Sequence, residues 1–236
     1  MPSVRFRVPG WCRRFEVKEG DRTLAATEQA GGWLTLRDVR AGAVLDLSMK
    51  AECTWREYPR NGGLSVERGP LTYSLAIEPQ VACVPRPSFK KGADGILWPE
   101  PPSPELAAKR DKMTEMRPKE GTKWNYALDR TATLEYRTLP FATDCFRYAA
   151  APAEILVKGR LLPEWTLQDN QPAELQDSPA YTEAPLETLR FIPMCCARLH
   201  VTVFPAATTD AVFGNRWHTV PAATSRKERS NSVPTR

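Results

Sequence analysis

Twenty-two prolines are spread along the whole of this 236-residue chain, about twice the average usage. Proline has no backbone N–H and a fixed φ, so it breaks helix interiors and is kept out of central strands. Scattered at this density, it argues against a long-helix bundle or a coiled coil. What remains is a fold of short elements separated by turns.

The segments between the prolines carry a matching pattern. Val4, Phe6 and Val8 alternate with Arg5 and Arg7, the period-two signature of a half-buried strand. Pro9-Gly10 ends it. Phe15 and Val17 alternate with charged neighbours, and Gly20 marks a turn. Trp33-Leu34-Thr35-Leu36 follows Gly31-Gly32, and Val44, Leu45, Leu47 and Met49 follow Ala41-Gly42. Asn61-Gly62-Gly63 is a hairpin-type turn signal leading into Leu64 and Val66. Gly69-Pro70 separates these from Leu71, Tyr73, Leu75 and Ile77. Short strands punctuated at this spacing predict an all-β chain of antiparallel sandwiches.

The middle departs from the pattern. Residues 84–104, rich in Pro, Gly and Lys, read as loop, and residues 105–116 as a short, charged helix or a disordered stretch. Strand patterning resumes at Trp124, Tyr126 and Leu128, again over residues 153–159 and 186–192, and most regularly over residues 196–204. The predicted organisation is therefore a first β-sandwich over residues 1–79 and a second, jelly-roll or Ig-like, over residues 80–205. An insertion falls at about 84–120. A polar, basic tail over residues 206–236 is expected to be disordered.

Composition narrows the function classes. Hydrophobic residues make up 42% and charged residues 26%, ordinary globular values. No apolar run approaches the roughly 18 residues that span a bilayer, so no membrane role is expected. The net charge of +5 is mild, and Arg13-Arg14, Lys90-Lys91 and Arg226-Lys227 are dispersed rather than clustered on one face, which does not favour nucleic acid. The N-terminal MPSVRFRVPGW lacks the apolar core of a secretory signal, so a cytoplasmic location with reduced thiols is expected. Cysteines at 12, 53, 83, 145, 195 and 196 form no CxxC pair.

Six segments, in order, carry a resemblance. They are FRVPGW (residues 6–11), GGWLTLRDVRAGAVLDLSM (31–49), VERGPLTYSL (66–75), WNYAL (124–128), QPAELQDSPA (171–180) and FIPMCCARLHVTVFP (191–205). Together they resemble the region downstream of the catalytic barrel in glycoside hydrolase family 127, the β-L-arabinofuranosidase-like family. The Arg-Gly-Pro-Leu run at 68–71 is the nearest match to the family pattern. Ala43, Gln176 and Met194-Cys195 depart from it, at strand edges and turns.

The resemblance implies catalysis in an α-helical barrel preceding the sandwiches. There a zinc ion is held by a Glu and cysteines, one of them the nucleophile, whose pKa the metal lowers. That barrel is longer than this chain, and Met1 falls just before the first sandwich strand. The expectation is an accessory region, inactive alone, that supports a barrel on another chain, with no catalytic, cofactor or metal residue of its own. A stand-alone carbohydrate-binding module is the alternative, and a relic without a partner a third.

The residues themselves agree with the first reading. Cys195-Cys196 is adjacent, as in the family's site, but sits in the terminal-strand segment, and no cysteine has a Glu two positions before it. Glu52, Glu57, Glu67 and Asp169 offer carboxylates for glycoside hydrolysis, but nothing pairs them. His200 lies in an alternating segment and reads as a packing or hydrogen-bonded residue. Among the tryptophans, Trp11, Trp33 and Trp124 lie inside motifs and are expected in the core. Trp55 and Trp98 lie beside irregular segments and are the candidate carbohydrate contacts, with a loop anchor as the plain alternative.

Overall fold

The computed structural model describes residues 3–25, 28–30, 32–85, 87–109, 112–168 and 171–210. Asp169 and the part of the expected tail beyond residue 210 lie outside the described residues. The fold is all-β, as the proline spacing demands.

The N-terminal strands are β1 (Ser3–Arg7), β2 (Cys12–Glu19), β3 (Arg22–Thr23), β4 (Glu28–Ala30), β5 (Trp33–Arg37) and β6 (Asp46–Ala51). They make two three-stranded antiparallel sheets, β1-β5-β4 and β3-β2-β6. The sheets face each other over Val17, Leu34 and Leu36, with Phe6, Val8 and Phe15 packed around them. The alternation of β1 therefore has the physical cause expected of it, one face of the strand lying against a core.

Strands β7 (Cys53–Tyr58), β8 (Gly63–Arg68) and β9 (Leu71–Leu75) follow, joined by the Asn61–Gly63 and Gly69-Pro70 turns. Gly62 and Gly69 both hold positive φ, which Cβ disfavours. An insertion comes next: β10 (Pro79–Pro85), β11 (Ser88–Lys91), β12 (Leu97–Glu100), α1 (Pro104–Lys109) and β13 (Lys112–Pro118). This corrects the sequence reading of loop over 84–104, while of the short helix or disordered stretch read over 105–116 the first half is helix, α1, and residues from Lys112 on are strand, β13. β10 pairs with β13, and β11 with β12. Of the prolines that suggested loop, Pro85 and Pro99 sit in two-stranded ribbons, where each strand has a free edge and a missing N–H need not break a ladder.

The rest of the chain supplies β14 (Tyr126–Leu128), β15 (Glu135–Thr138), β16 (Ala153–Leu161), β17 (Leu167–Gln168), β18 (Gln171–Pro172), β19 (Ala180–Tyr181), β20 (Leu186–Pro193) and β21 (Ala207–Thr208). A seven-stranded antiparallel sheet runs β14-β16-β20-β9-β8-β7, with β15 beside β16. It takes strands from both sides of residue 79, the expected boundary between the two sandwiches. Its inner face carries Val66, Tyr73, Ile155, Val157 and Phe191, all essentially buried.

The segment expected as the last strand, residues 196–204, is not one. β20 ends at Pro193, a 3-10 turn takes Met194–Cys196, and an extended strap follows. β8 and β9 pair only over residues 66–68 and 71–73. Beyond that the strap enters the split. Leu64 N–H donates to the Phe204 carbonyl at 2.7 Å, the Leu64 carbonyl accepts from Phe204 N–H at 3.0 Å, and Leu75 N–H donates to the Val201 carbonyl at 3.0 Å. Farther on, Leu128 N–H donates to the Pro205 carbonyl at 2.8 Å. The strap thus ties β8 and β9 to the far edge strand β14, and the sheet curls around the Phe204 side chain. The Phe204 ring centre lies 5.4 Å from that of Phe191, tilted to it, and 6.2 Å from that of Trp165, edge-on. Its alternation has the same cause as a strand's, one wall buried, without a continuous ladder.

Candidate functional site

Trp98 stands on β12 with 54% of its surface exposed. Its indole N–H donates to the Asp94 carboxylate at 3.2 Å, and its ring edge lies against the backbone of Gly92, where an added Cβ would come within 2.9 Å. The hairpin loop holding Asp94 is closed by Gly92 N–H to the Ile96 carbonyl, 2.8 Å. The ring is therefore exposed and held in one orientation, which suits stacking on a sugar face. Trp55 belongs to β7, opposite Val66, half-buried and packed against the main core. The two rings lie on different sheets.

The other tryptophans correct part of the expectation. Trp11 and Trp124 are half-buried, but Trp33 is 37% exposed, with the Arg5 guanidinium 5.1 Å above its ring. A strand buried on its other face leaves that ring outside.

A groove of about 520 Å³ lies between the end of β13, β17–β18 and the strap, walled by Trp124, Met116, Leu199 and Val201. Glu115, Arg117 and His200 edge it. Arg117 donates to Glu115 at 2.6 Å, and the His200 ring Nε2–H donates to the Ala197 carbonyl at 2.8 Å. One aromatic wall beside paired charged groups and an imidazole offers hydrogen-bond donors and acceptors to a polyhydroxylated ligand. It offers no nucleophile paired with a base. Sequence reasoning did not join Glu115 and Arg117 to Trp124, because their meeting depends on where β13 lies, and that segment read as helix.

The zinc set implied by the family resemblance does not fit the cysteines here. The Cys195 and Cys196 sulfurs lie 3.9 Å apart, and the Cys196 thiol donates to the Cys145 carbonyl at 3.0 Å. Burial, with Cys195 beside it, pushes the Cys196 thiol up to about 12, away from the thiolate a metal or a nucleophile needs. Burial also raises Cys53. Among the described residues no three His, Cys, Asp or Glu side chains gather as a ligand group.

The carboxylates are separated as well. Glu52 faces Arg13 at 3.5 Å, Glu57 faces Arg130 at 2.9 Å and Glu67 faces Arg56 at 3.3 Å. Glu57 shares a sheet face with its partner Leu64, and Glu67 shares the other face with Thr54. They point to opposite sides of one sheet.

Residues of the motifs pack into the fold instead, on one another and on their neighbours. Trp11 lies over Gly69, whose added Cβ would sit 3.2 Å from Ala51 and 3.6 Å from the indole. Leu175 and Val203 press on Gly63, leaving 2.7 and 2.9 Å for a Cβ. Ser178 donates its N–H to the Asn61 carbonyl at 2.8 Å, and its hydroxyl accepts from Ala206 N–H at 2.9 Å. The Arg68 guanidinium stacks 3.8 Å from the Tyr136 ring, joining β8 to β15 across the curled sheet.

No family model matches the sequence, and no curated protein matches it. Among solved structures, a glycoside hydrolase aligns with 87% of this chain and 28% of its own at 17% identity and TM-score 0.46. A family 127 β-L-arabinofuranosidase from Geobacillus stearothermophilus T6 aligns with 87% of this chain and 26% of its own, also at 17% identity, with TM-score 0.45. The chain thus spans about a quarter of the length of each.

Proposed function

We propose that this chain is an accessory, non-catalytic β region of a family 127-like glycoside hydrolase, supporting a catalytic barrel supplied by another chain. The observation that carries the reading is the packing of motif residues into the fold, on one another and on their neighbours. Trp11 on Gly69, Leu175 and Val203 on Gly63, and Ser178 between Asn61 and Ala206 are packing contacts and backbone hydrogen bonds. Residues that resemble the family here build the fold, and among the described ones none gathers with others as a reacting group. The test is to mix the purified chain with a separately expressed family 127 barrel. A complex on size exclusion and a raised melting temperature of the barrel are expected. Separate elution with unchanged melting would count against the reading.

A second reading, a carbohydrate-binding module, is favoured by one observation, the exposed and anchored ring of Trp98. In it Trp98 is the leading glycan contact, with Trp55 the second. Titration with arabino-oligosaccharides separates the two: binding lost in Trp98→Ala favours the module, and no heat at all disfavours it.

A further inference from the structure

Trp98 offers a single flat ring on a two-stranded ribbon. Trp124 stands instead in the wall of the groove between β13, β17–β18 and the strap. At about 520 Å³ the groove has the size that encloses a small ligand rather than touching one face of it. Its apolar wall is fixed by the fold. The Trp124 ring centre lies 5.0 Å from that of the buried Trp165, edge-on, and the Trp165 indole N–H donates to the Ala173 carbonyl at 3.0 Å. In the strap, Val201 N–H donates to the Ser74 hydroxyl at 3.1 Å, and the Val201 carbonyl accepts from Leu75 N–H at 3.0 Å. Groups held in this way lose little freedom when a ligand binds. Leu167 is 48% and Met116 41% exposed at the same groove, apolar surface that a ligand would cover.

The rim is polar, and its charges cancel. Glu115 and Arg117 are two residues apart on β13, so they share a face of the strand, and Arg117 donates to Glu115 at 2.6 Å. A carboxylate beside a guanidinium can accept from one hydroxyl of a vicinal diol and donate to the next. Because the pair is neutral overall, it favours an uncharged polyol over an anion. His200 donates its Nε2–H to the Ala197 carbonyl at 2.8 Å, so the neutral ring keeps Nδ1 as an acceptor. We propose that this groove is a saccharide site, separate from Trp98, for a neutral sugar of disaccharide size. One sugar face lies on Trp124, and a vicinal diol spans Glu115 and Arg117. The inference rests on the carbohydrate-binding reading for the class of ligand, but not on Trp98 as its contact.

Isothermal titration of the Trp98→Ala chain with neutral disaccharides of arabinose, xylose and glucose tests it, since any binding that remains cannot come from Trp98. Weak, saturable binding of at least one of these sugars is expected. Adding Arg117→Ala, at an exposed position, is expected to weaken it about tenfold, the loss of one charge-assisted hydrogen bond, and adding Trp124→Ala is expected to abolish it. A Trp98→Ala chain that binds nothing while the wild type binds would overturn the groove and leave the carbohydrate-binding reading standing. A wild-type chain that binds none of the sugars would overturn both. Unchanged affinity on adding Arg117→Ala, or tighter binding of a uronic-acid disaccharide than of the neutral ones, would also overturn the inference.

Discussion

The curled sheet and the ribbons of residues 79–118 are both made of short antiparallel strands, but only one of them has a core. In the sheet, Val66, Ile155, Phe191 and Phe204 are all fully buried. In the ribbons, Val81 is 65%, Phe89 63% and Leu97 62% exposed. A two-stranded ribbon has no opposing layer to bury its apolar face, so its pairing adds little stability by itself. In the sheet the opposing layer comes from the curl and from the strap that carries Phe204. Forming a strand and burying it are thus separate achievements, and none of the family-like motifs falls in the ribbons.

That contrast is open to direct attack. Phe204→Ala removes the ring around which the sheet closes, and a loss of about 3–5 kcal/mol is expected, as for other fully buried aromatics. Urea unfolding of the purified variant measures it, and a loss below 1 kcal/mol would mean that the strap is not part of the core. Gly63→Ala adds a Cβ within 2.7 Å of Leu175 and 2.9 Å of Val203. It is expected to cost about 1–3 kcal/mol, the range for overpacking a dense site, and the same denaturation series reads it. Trp98→Ala in the ribbon is expected to change stability by less than about 0.5 kcal/mol, as for exposed positions generally. An effect as large as that of Gly63→Ala would erase the distinction between the two regions.

The smallest effect belongs to the N-terminal sandwich. A hydrogen bond from Arg40 holds the Glu19 carboxyl below its usual range, with Arg22 assisting. A carboxyl lowered in the folded state adds stability that is present above its unfolded pKa and lost as pH falls through the folded one. Arg40→Ala is expected to move the Glu19 titration upward by NMR, with little change in unfolding midpoint because the pair is exposed.

Where one face of a strand meets a core, the sequence shows it. Val4 and Phe6 of β1 and residues 153–159 of β16 alternate because one face of each strand lies against a core. The Asn61–Gly63 turn is equally plain, since its glycines answer a backbone requirement. β7 is hidden, because only Cys53 and Trp55 mark its inner face before the charged Arg56 and Glu57 break the pattern. The ribbons were hidden because their prolines look like breakers when the strand count of the sheet is unknown. Residues 196–204 misled in the other direction, since a strap lying against a core alternates as a strand does. Trp98 was legible as an exposed ring from its irregular surroundings. The groove beside Trp124 was not, since its charged rim comes from β13, far away in sequence.

The accessory reading meets its most direct test in hydrolysis of an aryl β-L-arabinofuranoside by the purified chain alone. No turnover above background is predicted, because the Cys196 thiol is buried with its pKa raised and the carboxylates face apart. Turnover by the isolated chain, abolished by Cys195→Ala or Cys196→Ala, would contradict it.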